Sequence, residues 1–102
     1  MADFNNLLQL GQQMQGRLQE LQSELAGRTI EATAGGGLVR VSADGRGTIR
    51  SIVIDPMIFA EHDAEFLSDL VQAAVGEAQR RAQDLMQAEM RKVQPLPFNL
   101  PL

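Results

Sequence analysis

Apolar positions fall into three regimes along the chain. Phe4, Leu7, Gly11, Met14, Leu18, Leu21 and Leu25 advance in alternating steps of three and four residues. This is the a/d seam of a heptad pattern, interrupted only by Gly11. The spacing predicts a helix over 4–26, with Asp3 as N-cap and Gly27 in the left-handed C-terminal position. Such a helix is about 35 Å long. A chain of this size needs no rod of that length, so part of the seam is expected to face another helix. Two readings stand: a seam that meets a partner helix, and a long core helix with no special role.

After Gly27 the period shortens to that of strands. Residues 28–34 predict a modest strand ended by Gly35-Gly36-Gly37, a run suited to a tight reversal. Residues 38–43 predict a second strand carrying β-branched Val39 and Val41, and residues 48–54 a third rich in Ile and Val. Between them Asp44-Gly45-Arg46-Gly47 is a hairpin signal. A two-residue loop and a three-residue bulged loop differ by one position, which decides whether Arg50 shares a face with Arg40. The sequence leaves that open.

Asp55-Pro56 suits an N-cap followed by proline at the first helical position, so a helical turn is expected there. A second long helix follows from Asp63 as N-cap, and its apolar face runs Leu67, Leu70, Val71, Ala74, Val75, Ala78, Ala82, Leu85 and Met86. Small residues in its middle allow close approach of a sheet or helix. Arg91 and Lys92 complement the dipole near its end, which comes before Pro95. The tail 94–102 holds three prolines among leucines and Phe98. It is expected to be neither helix nor central strand: it either docks in extended form on a groove or moves freely. The fold class that results is α+β, a two-layer α-β-β-β-α domain over 1–93 with a three-stranded antiparallel sheet, two long helices and a Pro-rich tail.

The chain has 102 residues, one domain's worth, with 44% hydrophobic and 22% charged residues. No apolar run approaches the roughly 20 residues of a membrane span. The opening MADFNNLLQL lacks the basic stretch and continuous apolar core of a secretory signal. With no cysteine there is no disulfide framework and no thiolate chemistry. A cytoplasmic protein without membrane contact is the expectation.

The net charge of −4 is unevenly spread. Residues 1–27 carry −2, residues 28–54 carry +2, residues 55–79 carry −6 and residues 80–102 carry +2. Overall acidity opposes a protein that coats nucleic acid with its whole surface, but local basic stretches remain.

Catalytic chemistry is sparse. The triglycine lies between strands and matches neither GxxxxGK[ST] nor GxGxxG before a helix, so it reads as a turn. His62 is the only imidazole, no metal-ligand spacing occurs, and the serines at 23, 42, 51 and 68 have no positioned base. Asp55, Glu61, Asp63 and Glu65 read as caps and solvated charges at helix starts. No enzyme and no cofactor is expected. What remains is charge recognition: Arg40, Arg46 and Arg50 on the hairpin, and Arg80, Arg81, Arg91 and Lys92 late in the second helix. Arginine forks bind phosphate well. Four Phe with no Tyr or Trp disfavour a stacking platform for single strands, which leaves backbone contact to duplex. The bland alternative pairs these arginines with the abundant acids, each exposed pair contributing under ~1 kcal/mol.

The run Gly35-Gly36-Gly37-Leu38-Val39-Arg40-Val41, then Gly45-Arg46-Gly47, then Ser51-Ile52-Val53-Ile54-Asp55-Pro56 resembles the central signature of the YbaB/EbfC family of bacterial nucleoid-associated proteins. So do Leu67–Val75 with Ala78, the leading helix with its Gln-rich face, and the proline-rich end. The resemblance covers nearly the whole chain. It implies a cytoplasmic, nucleoid-located homodimer of α-β₃-α protomers, tweezer-like, that binds double-stranded DNA with little sequence preference and has a role in chromosome organisation or gene regulation. It carries no catalytic activity. Under it the basic residues above are the DNA-binding candidates, and Phe4, Leu7, Met14, Leu18, Leu21 and Leu25 are the dimer or helix seam. The alternative is an adaptor whose arms, acidic helix and apolar tail dock on a replication or recombination protein.

Overall fold

The computed structural model describes residues 2–61 and 63–93. His62 and the tail 94–102, on which the expectations of a lone imidazole and of a docked or free tail fall, lie outside the described residues. The element order is α1 (Ala2–Ala26), β1 (Thr29–Ala34), β2 (Val39–Asp44), β3 (Ile49–Ile54), α2 (Ile58–Glu61) and α3 (Ala64–Val93). This is the order expected from the hydrophobic pattern, with α2 as the helical turn after Asp55-Pro56. Asp55 Oδ1 accepts the Met57 amide at 2.9 Å and Asp63 Oδ1 the Phe66 amide at 2.9 Å, so both aspartates cap the helical segments they precede.

The strands pair antiparallel in the order β1-β2-β3. Alternate residues of β1 and β2 face α3, and Ala32, Val39, Val41 and Ala43 are buried there against Ala74 and Ala78. Leu67, Leu70, Val71, Val75, Ile49 and Ile54 close the core around them. The alanines let the helix approach the sheet closely. The approach is tight at Gly35, whose φ is +64° and where an added Cβ would come within 2.8 Å of Leu70 Cδ1.

The hairpin register that the sequence leaves open is settled by a bulge. Ser42 pairs with Ser51 but Ala43 pairs with Ile49, so Arg50 is the extra residue on β3. Arg40 sits opposite Thr33 and Val53, on the face turned away from α3. Arg50, the bulged residue, turns its guanidinium to Asp44 at the end of β2.

Among the described residues, helix α1 packs on the rest through its C-terminal part. Leu21 and Leu25 are buried, whereas Phe4, Leu7, Leu8 and Leu18 are exposed and Met14 is half-buried. Arg17, Glu20, Leu21 and Glu24 share a groove with Glu89 and Lys92, while Leu25 sits at the β2–β3 turn beside which Ala82 of α3 packs. The two helices therefore run antiparallel as an arm that leaves the sheet at its hairpin end. The molecule measures 73 × 27 × 17 Å and its radius of gyration is 20.0 Å, against about 13 Å for a compact chain of this length.

Candidate nucleic-acid interface

The hairpin end is organised by one buried carboxylate. Asp44 is 4% exposed. Its Oδ1 accepts the amides of Arg46 at 2.9 Å and Thr48 at 3.0 Å, and its Oδ2 accepts Arg50 Nη2 at 3.1 Å. Burial pushes this carboxyl up, but the Thr48 and Arg46 amides and the Arg50 guanidinium outweigh it and hold Asp44 below its ordinary value. The charge is therefore fixed, and it shapes a turn from which the Arg46 side chain projects with no partner among the described residues.

The adjoining turn supplies another arginine. The Leu25 carbonyl accepts both the Arg28 amide at 3.1 Å and the Gly45 amide at 2.8 Å. The α1–β1 turn and the β2–β3 turn are thus stitched to one oxygen, and Arg28, Arg46 and Arg50 gather at one end of the sheet. Arg28 was not singled out by sequence reasoning. Its signal was its place directly after the helix-ending Gly27, but nothing local shows that the chain returns there at the β2–β3 turn.

Helix α3 passes the same end. Gln79 Nε2 donates to the Gly47 carbonyl at 3.3 Å, and the next residue is Arg80. Arg80 pairs with Glu77 at 2.6 Å and with Asp84 at 3.1 Å. Arg81 donates to Glu77 at 3.0 Å and through Nη1 to the Glu31 carbonyl at 2.7 Å, tying α3 to β1. Hydrogen bonds from Arg80 and then Arg81 hold the Glu77 carboxyl below its ordinary value. Both arginines remain exposed, so each keeps donors turned to solvent. They are nevertheless partly neutralised, as the bland alternative anticipates.

Farther along the arm, Lys92 pairs with Glu89 at 3.2 Å, and Arg91 and Arg17 have no ion-pair partner among the described residues. Arg40 stands apart. It lies four residues before Asp44 on β2, about 13 Å along the strand, in a shallow hollow of the uncovered sheet face lined also by Glu31, Thr33, Ser42, Ser51 and Val53. The structure thus brings Arg46, Arg50, Arg80 and Arg81 to the hairpin end, sets Arg91 and Lys92 on the arm, and leaves Arg40 on a different surface.

The acids of the −6 stretch sit mostly elsewhere. Asp55 follows β3 and its amide donates to the Leu38 carbonyl at 2.8 Å, while Asp63, Glu65 and Asp69 belong to the start of α3. These positions are at the triglycine end of the sheet. The uneven charge along the sequence becomes a separation along the molecule. Among the described residues no group of three or more His, Cys, Asp or Glu could hold a metal ion, and no helix is long and apolar enough to cross a membrane.

Comparison with known proteins bears on the family and the fold. A nucleoid-associated protein of Thermoanaerobacter pseudethanolicus is 44% identical over 91 residues, covering 89% of this chain and 82% of the relative. One of Gemmatimonas aurantiaca is 43% identical over 102 residues, covering 97% and 98%. The crystal structure of an uncharacterized protein from Helicobacter pylori shares the fold, with a TM-score of 0.80 at 20% identity over 87% of this chain and 94% of that one. The family model described as the YbaB/EbfC DNA-binding family matches residues 1–96. An α-β₃-α fold, relatives above 40% identity and a family match over nearly its full length place this chain in the YbaB/EbfC DNA-binding family, to which it belongs.

Proposed function

We propose that this chain acts as a homodimer that lies against duplex DNA and contacts its phosphates with little sequence preference, in the nucleoid, where it organises the chromosome or regulates genes. The observation that carries the reading is the gathering of Arg28, Arg46 and Arg50 at the hairpin end, with Arg80 and Arg81 beside them and Arg17, Arg91 and Lys92 along the arm, while the acids around α2 occupy the other end. A chain of net charge −4 can approach a polyanion only if its bases are segregated in this way. Backbone contact carries no sequence information, which fits binding with little sequence preference. Arg40, on the uncovered sheet face, contributes where the two sheets of a dimer lie side by side.

Dimerisation is supported by the apolar rim of the sheet. Strand β3 has an unpaired edge, and both Ile52 and Val53 are exposed although they point to opposite faces. Val53 is 59% exposed, Met57 in the turn that follows β3 is 71% exposed, and Phe59 of α2 is 67% exposed. A long apolar edge left open invites pairing, and a second copy covers it. Mobility-shift titration of random-sequence duplex tests the function. Retardation at about 50 mM salt that fades at about 300 mM supports it, and no retardation at about 50 mM excludes it.

A further inference from the structure

The seam of α1 is only half covered. Leu21 and Leu25 are buried, but Phe4 is 66% and Leu7 65% exposed, and Leu8 is open beside them. Arg17 shares a groove with Lys92, so the described part of α3, which ends at Val93, comes level with Arg17. From there back to Asp3 helix α1 projects about 21 Å farther. It is helical throughout, although Gly11 and Gly16 in this stretch are poor helix formers. Packing of an apolar face is what normally holds such a helix, and here that face is open.

The projecting stretch is complementary to itself. In the heptad of the seam, Phe4 and Gly11 are a positions, Leu7 and Met14 d positions, Leu8 an e position, and Asp3 and Arg17 g positions. Two copies laid antiparallel about an axis at Gln9 match in size, symmetry and charge. Leu7 of each copy stands opposite Gly11 of the other, and Phe4 opposite Met14. At Gly11 an added Cβ would meet nothing within 4 Å, which leaves room for the leucine. On one flank Leu8 meets its own counterpart. On the other flank Asp3 of each copy meets Arg17 of the other. Neither Asp3 nor Arg17 has an ion-pair partner among the described residues, and no other charge lies between them in the sequence. A parallel pair fails these matches: it sets Gly11 against Gly11 and turns Asp3 and Arg17 toward Leu8 and Gln22. The antiparallel copy also runs in the direction of α3 and starts level with its described end, which brings Asp3 toward the basic end of α3 at Arg91 and Lys92.

We infer that the projecting half of α1 packs antiparallel on the same stretch of a second copy, through Phe4, Leu7, Leu8, Gly11 and Met14, with Asp3–Arg17 ion pairs between the copies. Added to the rim interface of the proposed dimer, this second two-fold contact joins dimers into an open row. The contact is two heptads long, so it is the weaker of the two steps. Sedimentation of the full chain at rising concentration tests it, and the parent is expected to pass beyond the dimer. Leu8→Glu and Leu8→Lys each set like charges against each other across the axis, and each is expected to weaken that step about tenfold. Mixed in equal amounts, the two variants are expected to recover it, because Glu then faces Lys. Repeated in the background of Val53→Asp with Phe59→Asp, the same loss and recovery are expected, which separates this contact from any failure of the rim reading. Loss without recovery in the mixture would assign the face to another occupant, and no loss in either variant would leave it unused; either overturns the inference.

Discussion

The amide of Gly45 donates to the carbonyl of Leu25 at 2.8 Å, which ties the β2–β3 turn to the end of α1. A Cβ at Gly45 would stand 2.7 Å from that carbonyl oxygen and 3.1 Å from Leu25 Cα, both backbone atoms that have no rotamer to escape into. Gly45→Ala is expected to destabilise the protein by about 2 kcal/mol, as overpacking of a tight site does. It should also weaken DNA binding, because Arg28 and Arg46 lose their common anchor. Urea denaturation checks the first, and a duplex titration of the folded variant the second.

Asp44 gives a pH dependence with a definite sign. Its carboxyl is held below its ordinary value in the folded state, so its contribution is fully present above the unfolded value near 4 and is lost as pH falls through the lower folded value. Asp44→Asn keeps an acceptor for the two amides but removes the charge facing Arg50. Urea midpoints of the parent and this variant are expected to differ most above about pH 5 and to converge as pH falls toward about 2. A gap that stays constant across that range contradicts the role given to the ionised carboxylate.

Glu77 restrains two of the candidate arginines at once. Glu77→Gln removes its charge while Arg80 keeps Asp84 and Arg81 keeps the Glu31 carbonyl. The variant is expected to bind duplex about threefold to tenfold more tightly at about 50 mM salt, with the gain fading as salt screens the site. Unchanged or weaker binding, read by fluorescence anisotropy, would take Arg80 and Arg81 out of the interface.

The rim of β3 and α2 yields a prediction about assembly. Val53→Asp with Phe59→Asp places two charges on an exposed apolar surface, where neither disturbs the buried core. Sedimentation is expected to show the parent as a dimer and the variant shifted at least tenfold toward monomer, with unchanged far-UV dichroism. A variant that stays dimeric places the interface elsewhere.

The fold was legible because its elements obey simple periods. The three-and-four spacing of Leu18, Leu21 and Leu25 marks α1, and Val39 and Val41 with the flanking glycines mark the hairpin. The bulge at Arg50 was not legible, since it depends on Asp44 being buried with three partners, a consequence of tertiary packing. The seam was legible as a stripe, but only the length of α3 decides that Leu21 and Leu25 are covered and Phe4 and Leu7 are not. Among the candidate site residues, the pairing of Arg80 and Arg81 with Glu77 was open to reading from the three- and four-residue spacings. The gathering of Arg28 with Arg46 was not, because it rests on two turns distant in the chain meeting at one carbonyl.

The most direct test compares the parent with a variant carrying Arg28→Ala, Arg46→Ala and Arg50→Ala on a labelled random duplex, by anisotropy from about 25 to about 200 mM salt. The parent is expected to bind with an affinity that falls linearly on logarithmic axes. The variant is expected to show a slope shallower by about one for each phosphate that the missing guanidinium groups no longer neutralise. Equal affinity and equal slope for the two proteins would contradict the placement of the DNA-binding surface at the hairpin end.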